Sequence, residues 1–175
     1  AFLNTLLNAM PIQVFYKDRQ GIYQGCNKAF EQFLGIREKD LIGKTVFDTH
    51  PPDLAKLYHE KDEELFHEGE NQRYDYQIKG AKGQLRDVIF NKAVFLDNEK
   101  NVSGLIGTIL DITERKHAEE ALRESEEKYR ILAETTQDII LLHDMEGNVG
   151  YANKAGLEFE GFEQRMKVGV NILNF

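Results

Sequence analysis

The stretch Asp111-Ile112-Thr113-Glu114-Arg115-Lys116 joins two different patterns. Before it, Val102 to Ile112 alternates in polarity and reads as a β-strand. After it, Glu114 to Glu134 is rich in charge and reads as a helix. Asp111 suits the N-cap, because its carboxylate can accept bonds from the first free helical N–H groups. Glu114, three residues on, completes a capping-box-like spacing and puts negative charge at the positive end of the helix. A strand therefore hands directly to a long helix with almost no loop. Alone, such a hexapeptide most often marks an ordinary strand-to-helix turn, so its flanks decide what it means.

Two further strands lie upstream. In Gln72 to Lys79, Tyr74, Tyr76 and Ile78 alternate with Arg73, Asp75 and Gln77, the pattern of a half-buried strand. Gly80 to Gly83 is a hairpin loop, Leu85 to Leu96 the next strand, and Asp97 to Asn101 a polar hairpin. Earlier still, Phe2, Leu3, Leu6, Leu7 and Met10 recur at helical spacing up to Pro11. Ile12 to Lys17 and Ile22 to Cys26 are strands about the Asp18-Arg19-Gln20-Gly21 turn. Asn27 caps a helix closed by Gly35, Glu38 to Ile42 adds one more turn, and Pro51-Pro52 opens a helix over Asp53 to Glu68. The order β-β-α-α-α-β-β-β describes an α+β domain, an antiparallel sheet with its helices on one face.

Downstream, Ala118, Leu122, Ser125, Tyr129 and Leu132 follow the spacing of a short coiled-coil seam. Glu119–Arg123, Glu124–Lys128 and Glu126–Arg130 are acid-before-base pairs at i,i+4. Beyond the helix the chain repeats itself. Asp18, Gly21, Asn27, Lys28, Ala29, Phe33, Gly35 and Gly43 return as Asp144, Gly147, Asn153, Lys154, Ala155, Phe159, Gly161 and Gly169, always 126 positions later. Apolar character persists at Val14/Ile140, Phe15/Leu141, Val46/Ile172 and Phe47/Leu173. Ile139 to Phe175 is thus the first part of a second copy. This divides the chain into 1–112, a complete domain; 113–134, a linker helix; and 135–175, the start of a second domain. A chain that begins without Met and stops inside an apolar pattern reads as a fragment of a longer protein.

Composition sets limits. The formal net charge of -8 leaves no basic footprint for nucleic acid or an anionic membrane. No apolar run approaches the ~20 residues of a membrane span, and no signal peptide is visible. The single Cys26 excludes an internal disulfide and fits a reducing, cytoplasmic compartment, with any membrane anchor elsewhere in the parent protein.

Taken together, D-x-x-G-x-x-x-x-x-N at Asp18 to Asn27, the N-K-A-F-E-Q-F-L-G helix, the L-I-G-K turn, and D-I-T-E-R-K followed by A-E-E-A-L resemble the PAS domain with its PAC-type C-terminal motif. The resemblance covers Leu6 to Glu134 as one complete copy, then a partial second. It implies a five-stranded antiparallel sheet of order 2-1-5-4-3 with a cavity between sheet and helices. It also implies a sensory role in two-component and related multidomain proteins, such as sensor histidine kinases and diguanylate cyclases. There the D-I-T motif passes change from the sheet to the outgoing helix, which makes Asp111, Thr113 and Glu114 the expected signal-coupling residues.

Catalytic chemistry is sparse. No phosphate-binding glycine loop is present, and none of the five histidines, His50, His59, His67, His117 and His143, forms an H-E-x-x-H motif. No nucleophile–base pair or metal set can be named, so the chain reads as a non-enzyme. His59 lies on the helix where haem-binding relatives carry their iron ligand, but Tyr58 is nearer that register. Flavin-photosensing relatives carry N-C-R-F-L-Q after the L-x-G turn; here that region is Gly43-Lys44-Thr45-Val46-Phe47-Asp48, so Cys26 reads as an inert small hydrophobe. No cofactor is assigned. The candidate ligand-lining residues are Tyr16, Phe47, Tyr76, Ile89, Asn91 and Thr108. Asn91 and Thr108 are the informative ones, since a polar side chain facing a core needs a partner. Two functions fit: a ligand-sensing input domain, or a ligand-free interaction and dimerisation module. The helices at Phe2–Met10 and Glu114–Glu134 are the expected homodimer contacts.

Overall fold

Asn27 fastens the N-terminal part of the chain. Its Oδ1 accepts the N–H groups of Val14 and Phe30, each at 3.0 Å. Its Nδ2 donates to the carbonyls of Leu7 at 2.9 Å and Ile12 at 2.8 Å. One side chain thereby caps helix α2 (Lys28–Leu34) and ties the end of α1 (Phe2–Ala9) to strand β1 (Gln13–Asp18). The structure is a computed structural model that describes residues 2–159. The chain forms two units, one ending at Lys116 and the next beginning at His117.

In the first unit, β1 turns into β2 (Tyr23–Cys26) through Asp18, whose Oδ1 accepts the N–H groups of Gln20 and Ile22 at 3.0 Å. Gly21 completes this turn at φ +76°, a conformation that a side chain would strain. Helices α3 (Glu38–Leu41), α4 (Val46–Thr49) and α5 (Pro52–Glu68) cross to β3 (Gln72–Lys79), β4 (Leu85–Leu96) and β5 (Val102–Asp111). The five strands are antiparallel in the order β2-β1-β5-β4-β3, the order that the resemblance implied. Element boundaries differ from the sequence reading by a residue or so. The short α4 was not foreseen. It starts at Thr45, whose N–H and hydroxyl both donate to Asp48 Oδ2, at 2.8 and 2.7 Å.

The joint differs in register from the sequence reading. The Lys116 N–H bonds the Ile112 carbonyl at 2.9 Å, so Ile112 rather than Asp111 holds the N-cap position of α6 (Thr113–Thr135). Asp111 remains the last residue of β5, and its Oδ1 accepts the Thr113 N–H at 2.9 Å. With the helix starting one residue later, Glu114 is not three residues past the cap. Among the described residues its side chain makes no hydrogen bond, so the capping box does not form. Thr113 is buried, and the neighbouring Ile112 N–H bonds the Asp87 carbonyl of β4 at 2.9 Å.

The second unit repeats the asparagine cap of the first. Asn153 Oδ1 accepts the N–H groups of Ile140 and Gly156, and its Nδ2 donates to the carbonyls of Ala133 and Asp138. Each partner lies 126 positions after its Asn27 counterpart. Asp144 and Gly147 rebuild the Asp18 turn between β6 (Leu141–His143) and β7 (Val149–Ala152), and Asn153 caps α7 (Lys154–Glu158). The C-terminal end of α6 thus does for this unit what α1 does for the first. The repeat positions Gly161, Gly169, Ile172 and Leu173 lie outside the described residues.

On α6, Arg123 forks onto Glu120 at 2.7 and 3.0 Å and lies 3.9 Å from Glu127, which also meets Arg130 at 3.7 Å. Leu122, Tyr129 and Leu132 are exposed. On α1, Phe2 and Leu6 are exposed while Leu7 is buried. No helix among the described residues is long and apolar enough to cross a membrane.

Candidate functional site

Strand alternation decides what the inner face of the sheet presents. On β1, Phe15 and Lys17 face inward; on β4, Phe90 and Lys92 do so; on β5, Ile109 does. Lys17 stands opposite Leu105 and Lys92 opposite Gly107, two residues apart on the shared strand β5, so the two lysines emerge from one face as near neighbours. At Gly107 a methyl group would lie 2.3 Å from the Phe15 ring, which needs that space. From α5, Ala55, Tyr58, Asp62, Leu65 and Phe66 are buried at helical spacing.

Between this face and the helices lies a cavity of about 510 Å³. Phe15, Phe30, Leu34, Ile36, Leu54 and Ile109 give it an apolar wall, while Asp53, Tyr76 and Leu85 form an exposed rim. Lys17 and Lys92 also line it. Lys17 Nζ lies 2.6 Å from Asp62 Oδ2 and Lys92 Nζ 2.5 Å from Asp62 Oδ1, with all three side chains only 2–3% exposed. Aromatic rings surround the cations: Lys17 Nζ is 4.5 Å from the Tyr23 centroid and Lys92 Nζ 5.3 Å from that of Tyr74. Burial lowers the pKa of both lysines, and the Asp62 carboxylate opposes the shift. Burial, reinforced by the Lys17 charge, also lowers that of His50, which lines the cavity with its ring edge-on to Tyr58 at 5.1 Å. The Tyr74 hydroxyl and Gln72 Oε1 are buried without a hydrogen-bond partner among the described residues.

Of the six candidate lining residues, Tyr76 is on the rim. Tyr16, Ile89, Asn91 and Thr108 are not among the lining residues. Each is the immediate neighbour of one that is, so pleating sends its side chain to the opposite face of the sheet. There Thr108 pairs with both Val14 and Asn91, and the Tyr16 ring covers Gly25. Phe47 lies on α4, 55% exposed, with its ring 5.3 Å from that of His59. The sequence reading missed Lys17, Asp62 and Lys92. The signal was present: Asp62 lies four residues after Tyr58 and seven after Ala55, on the buried stripe of its helix, and each lysine shares the inward phase of a phenylalanine two residues before it.

Comparison with known proteins accords with this architecture. The model of the PAS fold matches residues 7–117, and a second PAS-domain model matches residues 127–174. The chain belongs to the PAS family. Its PAS relatives include the aerobic respiration control sensor protein ArcB of Escherichia coli, 30% identical over 140 residues, which is 79% of this chain and 18% of ArcB. The peroxide stress-activated histidine kinase mak1 of Schizosaccharomyces pombe is 23% identical over 98% of this chain and 11% of its own length. The chain therefore spans less than a fifth of these curated relatives. Among solved structures, the PAS domain of Bordetella pertussis BvgS superposes with a TM-score of 0.59 at 26% identity, over 73% of this chain and 96% of that domain. The relatives are PAS-bearing sensor proteins, and the five-stranded sheet is the PAS fold.

Proposed function

We propose that this chain is the sensory input of a larger signalling protein, binding a small molecule in the cavity of its first PAS copy. The observation that carries this reading is the 510 Å³ cavity with a charged base inside an otherwise packed core. Protein interiors are close-packed, and a space of this size is of the order that small-molecule sites occupy. Occupancy would bear on β1, β4 and β5. β4 begins and β5 ends at the joint, where Asp111 accepts the Thr113 N–H, the Thr113 hydroxyl bonds Asp87 of β4, and Glu114 adds negative charge to the N-terminus of α6. We place signal coupling at these three residues and catalysis in domains outside this chain, of the kinase or cyclase kind. The lone buried Cys26 accords with a cytoplasmic setting. The resident molecule is not assigned to any cofactor class.

A second reading, a dimerisation module, is favoured by the exposed Leu122, Tyr129 and Leu132 on α6 and Phe2 and Leu6 on α1. It is compatible with the first. Native mass spectrometry and an absorption spectrum of the protein as purified separate the ligand reading from a ligand-free one. A bound small molecule, released on denaturation, supports it. A clean polypeptide mass, with no small molecule that raises the melting temperature, contradicts it.

A further inference from the structure

The base of the cavity carries more positive charge than negative. Two ammonium groups share the single carboxylate of Asp62, and all three are almost fully buried. Each ammonium has three N–H donors, and each gives one hydrogen bond, to Asp62. The others find no acceptor among the described residues. An unbalanced buried charge is costly unless something pairs with it. Lys17 and Lys92 line the cavity and Asp62 does not, so the cations stand between the carboxylate and the space. The remaining charged liners, Asp53 and Lys79, are exposed at the mouth and are screened by water.

We propose that the cavity takes a small organic monoanion, a carboxylate on an apolar body, whose carboxylate rests on Lys17 and Lys92. This deepens the reading of the cavity as a ligand site and rests on it. One carboxylate makes two ion pairs of the two lysines and brings the buried charge to zero. Its body would lie against Phe15, Phe30, Leu34, Ile36, Leu54 and Ile109. A dianion would overshoot the single excess charge of the Lys17–Asp62–Lys92 cluster. His50 leaves the balance unchanged: burial, then the Lys17 charge, lowers its pKa and favours the neutral ring.

The test compares octanoate, octanamide and octyl phosphate by isothermal titration against the whole chain at neutral pH. Octanoate is expected to bind tighter than octanamide by about tenfold or more, the scale of a lost charge-assisted hydrogen bond. Lys17→Met and Lys92→Met should each abolish that preference. Each variant leaves one lysine paired with Asp62, and its melting curve reports whether it folds; where one does not fold, the wild-type preference still decides. Equal binding of octanoate and octanamide overturns the anion while leaving a ligand cavity standing. Tighter binding of octyl phosphate overturns the carboxylate. Binding of none overturns this inference, and the mass spectrum of the purified protein then decides the ligand reading separately.

Discussion

Thr113 and Asp87 are joined twice: the Thr113 hydroxyl oxygen accepts the Asp87 N–H at 2.9 Å and donates to the Asp87 carbonyl at 3.4 Å. The first residue of α6 is thus bonded to β4, the strand that carries Lys92 five residues on. Thr113→Val keeps the shape and removes the hydroxyl. It should cost about 1–2 kcal/mol in urea denaturation, the range of a lost buried hydrogen bond. Thr113→Ser should recover most of it. Equal stability of wild type and Thr113→Val would remove this bond from the account.

Asp111→Ala should loosen the start of α6 while leaving the first unit folded. The lost acceptor for the Thr113 N–H costs about 1 kcal/mol, small beside the stability of a domain. Asp111→Asn retains an acceptor oxygen and should fall between the two. Amide exchange at Thr113 checks this: faster exchange in Asp111→Ala is expected, and an unchanged rate would show that the Asp111 carboxylate does not hold the helix end.

Asp62 and Lys92 should respond unequally to substitution. Asp62→Asn leaves two buried cations without their anion and should destabilise by about 3–5 kcal/mol. Lys92→Met leaves the Lys17–Asp62 pair balanced and should cost far less. The pH dependence has a definite sign. Both lysines have folded-state pKa values below the ordinary 10.5, so the unfolded chain binds more protons between the two values. Stability should therefore rise with pH as the medium approaches 10.5 from the lowered values. Lys92→Met should flatten that rise. Tyr23, Tyr58 and Tyr74, raised chiefly by burial, act oppositely once pH passes 10. Melting curves across this range, wild type against Lys92→Met, make the comparison; parallel curves would contradict it.

Cys26 should be unreactive in the native chain. It is buried, and burial together with the Glu38 carboxylate pushes its thiol up to about 12. Only the thiolate attacks alkylating reagents. Iodoacetamide at pH 8 should leave the folded protein unmodified and label it fully in denaturant. Rapid native labelling would contradict the burial.

Self-association should follow from the exposed seam on α6. Sedimentation at ~10–100 micromolar, where weak interfaces are populated, should show a dimer that Leu122→Glu with Leu132→Glu reduces to monomer. A wild-type monomer there would count against the α6 seam.

Much of this was legible in the sequence. The α+β class follows from hairpin spacing and one helical crossover, the strand order from the resemblance to PAS domains, and the Asn27 and Asn153 caps from a repeat kept in register. The site was legible only in outline. Val88-Ile89-Phe90 is continuously apolar, so alternation could not show which face Asn91 took, and a one-residue slip moved four candidates to the opposite side. Lys17, Lys92 and Asp62 were not singled out: their buried phase is in the sequence, but their pairing arises only when α5 folds across the sheet. At the joint, Asp111 read as the N-cap because β5 and α6 share a boundary that spacing alone places within a residue.

The central claim is that occupancy of the cavity is felt at the joint. The most direct measurement is a titration of isotope-labelled protein with octanoate, following the backbone amides of Lys17, Lys92, Asp87 and Thr113 by nuclear magnetic resonance. The account predicts that all four shift with one dissociation constant, and that Lys92→Met abolishes the shifts at Asp87 and Thr113 as well as at the cavity. Shifts at Lys17 and Lys92 with Asp87 and Thr113 unmoved at saturation would contradict it.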